Sequence, residues 1–125
     1  MAVAATAALA GGLLWPLAAR ANMTAVTISV SKADSISTCN STGLACPSIQ
    51  GAINLGETYS NAAVTIDIAA GTYNENDSIT VPGSDTLSLV GSGASSTVVN
   101  GTGSGTVAEV TSGTAAINFL TLQDG

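Results

Sequence analysis

Short runs in which apolar and polar residues alternate recur along the chain. Val26–Val30 reads Val-Thr-Ile-Ser-Val, and Val64–Ile68 shows the same alternation. A period of two is typical of β-strands, because successive side chains of a strand point to opposite faces of its sheet. Later runs of this kind are Ile79–Val81, Leu87–Val90, Thr97–Val99, Val107–Val110 and Ile117–Leu122. Because Gly, Asn, Asp, Ser or Pro bounds each run, the pattern predicts a domain built mainly of short strands.

One segment departs from this pattern and predicts a short helix over Pro47–Leu55. Proline suits the first position of a helix, where its missing N–H costs nothing. Ile49 and Ile53 fall on one helical face, and Gly56 follows as a C-cap. We expect the apolar face of this helix to cover the first strands and to block an otherwise open sheet edge.

The distances between the strand-like runs favour a solenoid. Ile66 and Leu87 are separated by 21 residues, and so are Val99 and Leu120. Repeats of roughly 20–30 residues are typical of folds in which each coil stacks on the one before it. An antiparallel sandwich with turns about every 8–12 residues is the competing interpretation, and spacing alone leaves both open.

Several local motifs resemble one known family. Residues 63–101, which include Gly71-Thr72-Tyr73 and Leu89-Val90-Gly91-Ser92-Gly93, resemble the first coils of the right-handed parallel β-helix, or pectin-lyase-like, superfamily. Residues 46–54 resemble the short helix that caps such folds, and residues 117–125 resemble a further coil. These motifs are fairly specific for the fold and carry almost no information about activity.

The resemblance implies an all-β fold, a right-handed parallel β-helix solenoid of about three coils with a short N-terminal capping helix. Residues 22–62 would supply an N-terminal strand, a disulfide loop and the capping helix, and residues 63–125 the first coils. The side chains expected to point inward and to stack from coil to coil are Ile66, Ile68, Leu87, Leu89, Val98, Ile117 and Leu120.

The last strand-like run is followed by no counterpart of the capping helix. Gly125 ends the sequence directly after that run, so we expect a chain truncated from a longer β-helix. An uncovered coil leaves backbone donors and acceptors without partners. We therefore expect self-association through the C-terminal coil.

The N-terminal 21 residues predict a secretory signal peptide. Residues 2–17 are largely apolar but too short for a membrane span, which needs about 20 residues. Ala19-Arg20-Ala21 then places small residues at the positions that signal peptidase reads. A retained hydrophobic anchor is the alternative. The expected location is outside the cell or on its surface, with membrane contact only through this segment.

Cysteine usage agrees with export. Cys39 and Cys46 enclose a polar, Gly-containing loop, and two cysteines allow a single intramolecular pairing. Because disulfides form in oxidising compartments, we expect these two to be joined. The alternative is a pair of free thiols in a cytosolic protein.

The charge of the chain excludes several function classes. Its formal net charge is −6, it contains no His, and Lys32 is the only cationic side chain after residue 21. Binding to nucleic acid needs a cationic surface, so no nucleic-acid partner is expected. Catalysis centred on His and His-ligated metal sites are excluded as well.

No catalytic residue is expected in this segment. Enzymes of the resembled superfamily act on polysaccharides, and their lyase route uses a basic residue, commonly Arg, beside acidic Ca²⁺ ligands. Residues 22–125 contain no Arg. The hydrolase route needs converging carboxylates, and nothing in the sequence places Asp67 near Glu109. Both are interpreted as solvated charges on strand faces.

The oxygen-rich turn Asn74-Glu75-Asn76-Asp77, with Asp85 one strand later, is the strongest candidate for a Ca²⁺ site. It lacks the alternating Asp ladder of known calcium loops, so an ordinary solvated turn is favoured and no metal or other cofactor is expected. Tyr59 and Tyr73 are the candidates for stacking on sugar rings, and packing in the core is favoured for both.

Two functions remain open at this point. The first is a non-catalytic part of a secreted or surface β-helix protein that presents a face to an extracellular polysaccharide or a cell-surface partner. The second is the front end of a secreted polysaccharide lyase or hydrolase whose active residues lie beyond residue 125.

Overall fold

The computed structural model describes residues 23–32, 38–81, 85–103 and 105–125. The predicted signal peptide lies outside these residues. Within them the chain forms ten short strands and one helix, in the order β1 Thr24–Val30, β2 Ala45–Cys46, α1 Ile49–Gly56, β3 Ala62–Ile68, β4 Gly71–Asn74, β5 Asp77–Thr80, β6 Thr86–Gly91, β7 Thr97–Asn100, β8 Ala108–Ser112, β9 Ala115–Asn118 and β10 Thr121–Gln123. No helix of this described part has the length and apolarity needed to cross a membrane.

The strands form three parallel sheets. Sheet 1 has the order β2-β1-β3-β6-β9, sheet 2 the order β10-β7-β4, and sheet 3 pairs β5 with β8. From β3 onward, consecutive strands belong to sheets 1, 2 and 3 in turn, and then to sheets 1, 2 and 3 again. All pairs between the described strands are parallel. The antiparallel sandwich is therefore wrong, and an all-β architecture with parallel sheets is confirmed.

The register of sheets 1 and 2 differs from the predicted spacing. Ile66 pairs with Leu89 rather than with Leu87, so the offset between β3 and β6 is 23 residues instead of 21. Val99 likewise pairs with Leu122 and not with Leu120. A shift of two residues leaves every side chain on its original face, because the strand period is two.

Burial follows the predicted faces in β3 and β6 and departs from them later. Ile66, Ile68, Leu87 and Leu89 are all at most 3% exposed. The prediction for Val98 is wrong, because the alternation in β7 turns Thr97 and Val99 inward and leaves Val98 half-buried. Thr97 tolerates burial because its hydroxyl accepts a hydrogen bond from the backbone N–H of Ser92.

The final run is two strands and not one. A corner at Phe119 and Leu120 separates β9 from β10, and Phe119 has a positive φ of 57°. Gly91 lies directly against this corner, where a Cβ atom would collide with the backbone carbonyl of Phe119. Of the predicted core residues here, Ile117 is 36% exposed and Leu120 is only half-buried.

Helix α1 is present, with shifted ends. It begins at Ile49, after the N-cap Ser48, whose hydroxyl accepts a hydrogen bond from the backbone N–H of Gly51 at 3.0 Å. Serine is favoured there because it satisfies an N–H that has no partner within the helix. Ile49 and Ile53 are fully buried, as predicted, and the helix packs against β1 and β3. Gly56 is its last residue rather than its cap.

Candidate functional site

A groove of about 290 Å³ lies at the carboxyl ends of β1, β3 and β6. Its lining includes hydroxyl groups, one carboxylate and the last buried residues of the three strands: Ser29, Val30, Ser31, Asp67, Ile68, Ala69, Val90, Gly91 and Ser92. Because the strands are parallel and in register, their ends meet at one edge of sheet 1. This brings together residues that are more than 60 positions apart in the chain.

The polar side chains of the groove are placed by strand alternation. Ser29, Asp67 and Val90 are neighbours in the register of β1, β3 and β6. The flanking positions are buried in the core, so Ser29 and Asp67 point outward and are exposed. Their backbones lie one interstrand spacing apart, about 4.8 Å. A carboxylate and a hydroxyl at this separation can accept hydrogen bonds from adjacent hydroxyl groups of one ligand.

Ser92 closes the groove on the β6 side. Its hydroxyl donates a hydrogen bond to the backbone carbonyl of Ile68 at 3.1 Å, which leaves the oxygen lone pairs able to accept. The outward placement of Asp67 agrees with the prediction from the alternation around it. The sequence reasoning missed Ser29 and Ser92, because strand pairing and not local pattern brings them to Asp67.

The second carboxylate considered for hydrolysis lies elsewhere. Glu109 is exposed on β8 in sheet 3, whereas Asp67 lies on β3 in sheet 1. Among the residues that the structure describes, no group of three or more His, Cys, Asp or Glu side chains could hold a metal ion. The structure therefore does not bring the sequence candidates for acid–base chemistry together.

In the oxygen-rich turn, Glu75 contacts the N-terminus of helix α1. The Glu75 carboxylate accepts hydrogen bonds from the backbone N–H groups of Ile49 at 3.1 Å and Gln50 at 2.8 Å, at the start of α1. Anionic oxygens are stabilised at a helix N-terminus because unpaired N–H groups and the positive end of the helix dipole meet there. Glu75 thus anchors the helix to the turn before β5.

Asn76 in this turn and Asp85 after the next strand also form hydrogen bonds with the backbone. The Asn76 side chain donates to the carbonyl of Thr106 at 2.7 Å and accepts from Thr102. The Asp85 carboxylate is 9% exposed and accepts from the backbone N–H of Ala62 at 3.2 Å. Glu75, Asn76 and Asp85 therefore make separate contacts with the helix, with the loop between β7 and β8 and with the first residue of β3.

The buried Asp77 and the half-buried Glu75 form an acid pair that the sequence reasoning did not identify. Asp77 is 3% exposed, and its Oδ1 has no hydrogen-bond partner among the described residues. Burial, followed by the hydrogen bond and the charge of Glu75, raises the pKa of Asp77 from 3.8 to about 8. A carboxyl group kept neutral at pH 7 can donate a hydrogen bond to the neighbouring carboxylate. The sequence predicts a solvated Asp77, because its local pattern is that of a turn, and this prediction is wrong because Asp77 begins β5 with its side chain in the core.

A row of amide side chains crosses sheet 2. Register places Asn74, Asn100 and Gln123 at equivalent positions of β4, β7 and β10. Asn100 donates to Asn74 at 3.2 Å, and Gln123 donates to Asn100 at 3.4 Å. Asn74 and Gln123 are exposed, so the row lies at the surface. No sequence signal identifies this row without the register.

Both tyrosines are part of the core packing. Tyr73 is 1% exposed, and its hydroxyl donates to the carbonyl of Ala69 at 2.9 Å. Lys32 lies over its ring, with 5.7 Å from Nζ to the ring centroid. Tyr59 is half-buried and packs against the same core. Core packing is therefore confirmed for both tyrosines.

The predicted disulfide between Cys39 and Cys46 is confirmed. It closes the loop that leads into β2, and the Asn40 side chain accepts hydrogen bonds from the backbone N–H groups of Thr42 and Gly43 within that loop.

Comparison of the chain with protein-family models, with curated proteins and with solved structures finds no match.

Proposed function

We propose that this chain is a non-catalytic, extracellular segment of a right-handed parallel β-helix that binds a neutral glycan in the groove beside Asp67. The observation that carries this proposal is the register that places Ser29 and Asp67 side by side at the mouth of an open groove. Sugars offer adjacent hydroxyl groups, which donate to carboxylates and exchange hydrogen bonds with serine hydroxyls.

The β-helix part of the proposal rests on the order of strand pairing. β3, β4 and β5 pair in parallel with β6, β7 and β8, and β9 and β10 continue the same order on β6 and β7. A chain that coils around one axis produces this order, since each strand then meets its equivalent one coil earlier. The handedness follows from the family resemblance.

The charge of the chain favours a neutral over an acidic glycan. The formal net charge is −6, and the groove contains a carboxylate and no cationic side chain. An acidic polysaccharide would be repelled unless cations lay between the two surfaces. A neutral glycan is not repelled, so its interaction with the groove is determined by short-range hydrogen bonds.

Binding without catalysis is supported by the separation of the carboxylates. Glycoside hydrolysis uses two carboxyl groups about 5–9.5 Å apart, whereas Asp67 and Glu109 belong to strands of different sheets. An extracellular location is supported by the Cys39–Cys46 disulfide, which persists in oxidising compartments, together with the predicted signal peptide.

A binding assay with matched variants tests this function. Isothermal titration against neutral oligosaccharides (gluco-, manno- and galacto-configured) is compared for the unchanged chain, Asp67→Asn and Glu109→Gln. We expect Asp67→Asn to weaken binding by about tenfold, because charge-assisted hydrogen bonds are roughly twice as strong as neutral ones. Glu109→Gln removes the same charge from another sheet and should leave the affinity unchanged.

Two results would contradict the proposal. One is the absence of binding to every neutral oligosaccharide in the series. The other is cleavage of polygalacturonate by the chain, with or without Ca²⁺, which would establish an enzyme in place of a binding protein.

A further inference from the structure

The N-terminus of α1 is attached to a turn that contains two acidic side chains. The Glu75 carboxylate accepts hydrogen bonds from the backbone N–H groups of Ile49 and Gln50. Asp77, two residues further on, begins β5 with its side chain only 3% exposed. Its Oδ1 has no hydrogen-bond partner among the described residues. The helix is thus attached, through Glu75, to a site that also contains a buried carboxyl group.

The two carboxyl groups of this site cannot both be ionised without a cost in free energy. Two neighbouring carboxylates repel each other, and a buried carboxylate also lacks the water that stabilises its charge. A proton on Asp77 removes both costs, because the neutral carboxyl group can donate a hydrogen bond to Glu75. The arrangement in the structure is therefore that of an acid pair with one proton.

The surroundings of the pair supply no compensating cation. Helix α1 and the loop before β8 (residues 101–107) contain no titratable residue. Strand β8, which pairs with β5, contributes Glu109, which is exposed. Glu57, at the other end of α1, binds the backbone of β5. Lys32, the only cationic side chain after residue 21, lies over the ring of Tyr73 on β4. A second negative charge in the pair would therefore meet only repulsion.

Glu75 is the partner that can move when this repulsion arises. The backbone N–H of Asp77 donates to the carbonyl of Val107 at 2.8 Å, and β5 continues from there in register with β8. Glu75 is half-buried in the turn between β4 and β5. Rotation of its side chain toward solvent separates the two charges, but it also breaks both hydrogen bonds to the helix.

We propose that Asp77 and Glu75 form a proton-dependent latch for the first turn of α1. With a proton on Asp77, Glu75 stays bound to the helix. Without this proton, Glu75 turns to solvent and the first turn is released. Because Gln50 lies in that turn and binds the backbone N–H and carbonyl of Ser78, release also opens the edge of β5. The rest of the helix stays packed in the core through the fully buried Ile53.

The latch opens on the alkaline side of neutrality. Burial, followed by the hydrogen bond and the charge of Glu75, raises the pKa of Asp77 from 3.8 to about 8. A group whose pKa is raised by the closed arrangement keeps its proton below that value, and a rise in pH favours the open arrangement. This opening is local, so it differs from global unfolding in the residues that it exposes.

Carbon-detected NMR of the chain, expressed from its full sequence and purified, tests this proposal in a titration from about pH 6 to about pH 9.5. This detection does not depend on amide protons, which exchange with water at high pH. We expect the carboxyl carbon of Asp77 and the backbone nitrogens of Ile49 and Gln50 to shift with one midpoint, at about pH 8. The backbone nitrogen of Leu89, in sheet 1, should not shift with them.

Three matched variants separate the latch from other effects of pH. In Asp77→Asn the nitrogens of Ile49 and Gln50 should stay constant, because an amide is neutral over the whole range. Asp67→Asn removes an exposed aspartate of β3 and should behave as the unchanged chain. Glu75→Gln keeps an acceptor for the helix but removes the charge, so the midpoint of Asp77 should fall and the helix nitrogens should no longer follow it.

Amide hydrogen exchange at Ser78 measures the opening of the β5 edge. Opening releases one proton, so protection at Ser78, corrected for the intrinsic effect of pH, should fall by about tenfold per pH unit between about pH 6 and about pH 8. In Asp77→Asn the protection at Ser78 should be independent of pH over this range.

Four results would overturn the proposal. The first is an Asp77 carboxyl group that is already ionised at about pH 6. The second is titration of Asp77 without any shift at Ile49 and Gln50. The third is an equal shift of these two nitrogens in Asp77→Asn. The fourth is a shift of Leu89 with the same midpoint, which would show global unfolding instead of a local opening.

Discussion

At the scale of single residues, Asp77 links the turn before β5 to helix α1 through Glu75. Glu75 accepts hydrogen bonds from the first backbone N–H groups of the helix, and Asp77 is buried beside it, with no described residue within hydrogen-bond distance of its Oδ1. Burial and the neighbouring acid raise the pKa of Asp77 to about 8. The folded chain therefore keeps a proton on Asp77 at neutral pH, which an exposed aspartate would release.

Because the folded chain keeps this proton, we expect the free energy of unfolding to fall as pH rises. Unfolded Asp77 loses its proton near pH 3.8, and the folded form keeps it to about pH 8. Unfolding releases a proton between these values, so a rise in pH through this window favours the unfolded state. We expect urea denaturation to show the contribution of Asp77 complete below about pH 4 and lost by about pH 8.

The variant Asp77→Asn should flatten this pH dependence, because the amide stays neutral at every pH. It should also be more stable than the unchanged chain at pH 8. Asp67→Asn, at an exposed aspartate on β3, serves as the control and should leave the slope unaltered. An unchanged slope in Asp77→Asn would show that another group carries the proton.

At the scale of elements, side chains of α1 take the place of a strand beside β5. Gln50 Oε1 accepts from the N–H of Ser78 at 2.6 Å, while its Nε2 donates to the carbonyl of the same residue at 3.0 Å. Glu57 Oε2 accepts from the N–H of Thr80 at 2.6 Å. The helix thus covers the sheet edge with polar side chains while Ile49 and Ile53 fill the core beneath it.

Removal of the Gln50 amide should open this edge. We expect Gln50→Ala to destabilise the fold by about 1 kcal/mol, since two exposed hydrogen bonds to one backbone position are lost. Amide hydrogen exchange at Ser78 should become faster. Thr58→Ala, at an exposed residue just after the same helix whose hydroxyl donates to the carbonyl of Leu55, is the control and should leave the Ser78 exchange rate unchanged.

At the scale of the whole molecule, burial differs sharply between neighbouring strands of sheet 1. Leu89 on β6 is 1% exposed, whereas its direct register neighbour Ile117 on β9 is 36% exposed. Truncating a buried side chain removes both its transfer free energy and its packing contacts, whereas truncating an exposed side chain removes little of either. Substitution by alanine should therefore have unequal effects at these two neighbouring residues.

Alanine substitutions measure this gradient. Leu89→Ala should reduce the free energy of unfolding by about 2–5 kcal/mol, and Ile117→Ala by less than about 1 kcal/mol. Equal losses for the two variants would mean that Ile117 is packed as well as Leu89.

Sequence patterns were sufficient to predict the features that depend on residues close together in the chain. The alternation in Val64–Ile68, the apolar face of α1 and the pairing of Cys39 with Cys46 each follow from a few adjacent residues or from the small number of cysteines. Errors arose where the phase of alternation is ambiguous. In the run Thr97-Val98-Val99, either phase of the alternation places one valine inside, and Val98 is the one predicted. The Thr97 hydroxyl has a hydrogen-bond partner, so Thr97 and Val99 face the core instead.

The tertiary structure alone decided which strands are neighbours and in what register. A period of two is unchanged by a shift of two residues, so buried faces were predictable in β3 and β6 while the partner of Ile66 was not. The groove at Asp67, the amide row of sheet 2 and the burial of Asp77 all depend on contacts between distant segments. Local chemistry thus specified strands, helix and disulfide, and long-range strand pairing created the candidate site.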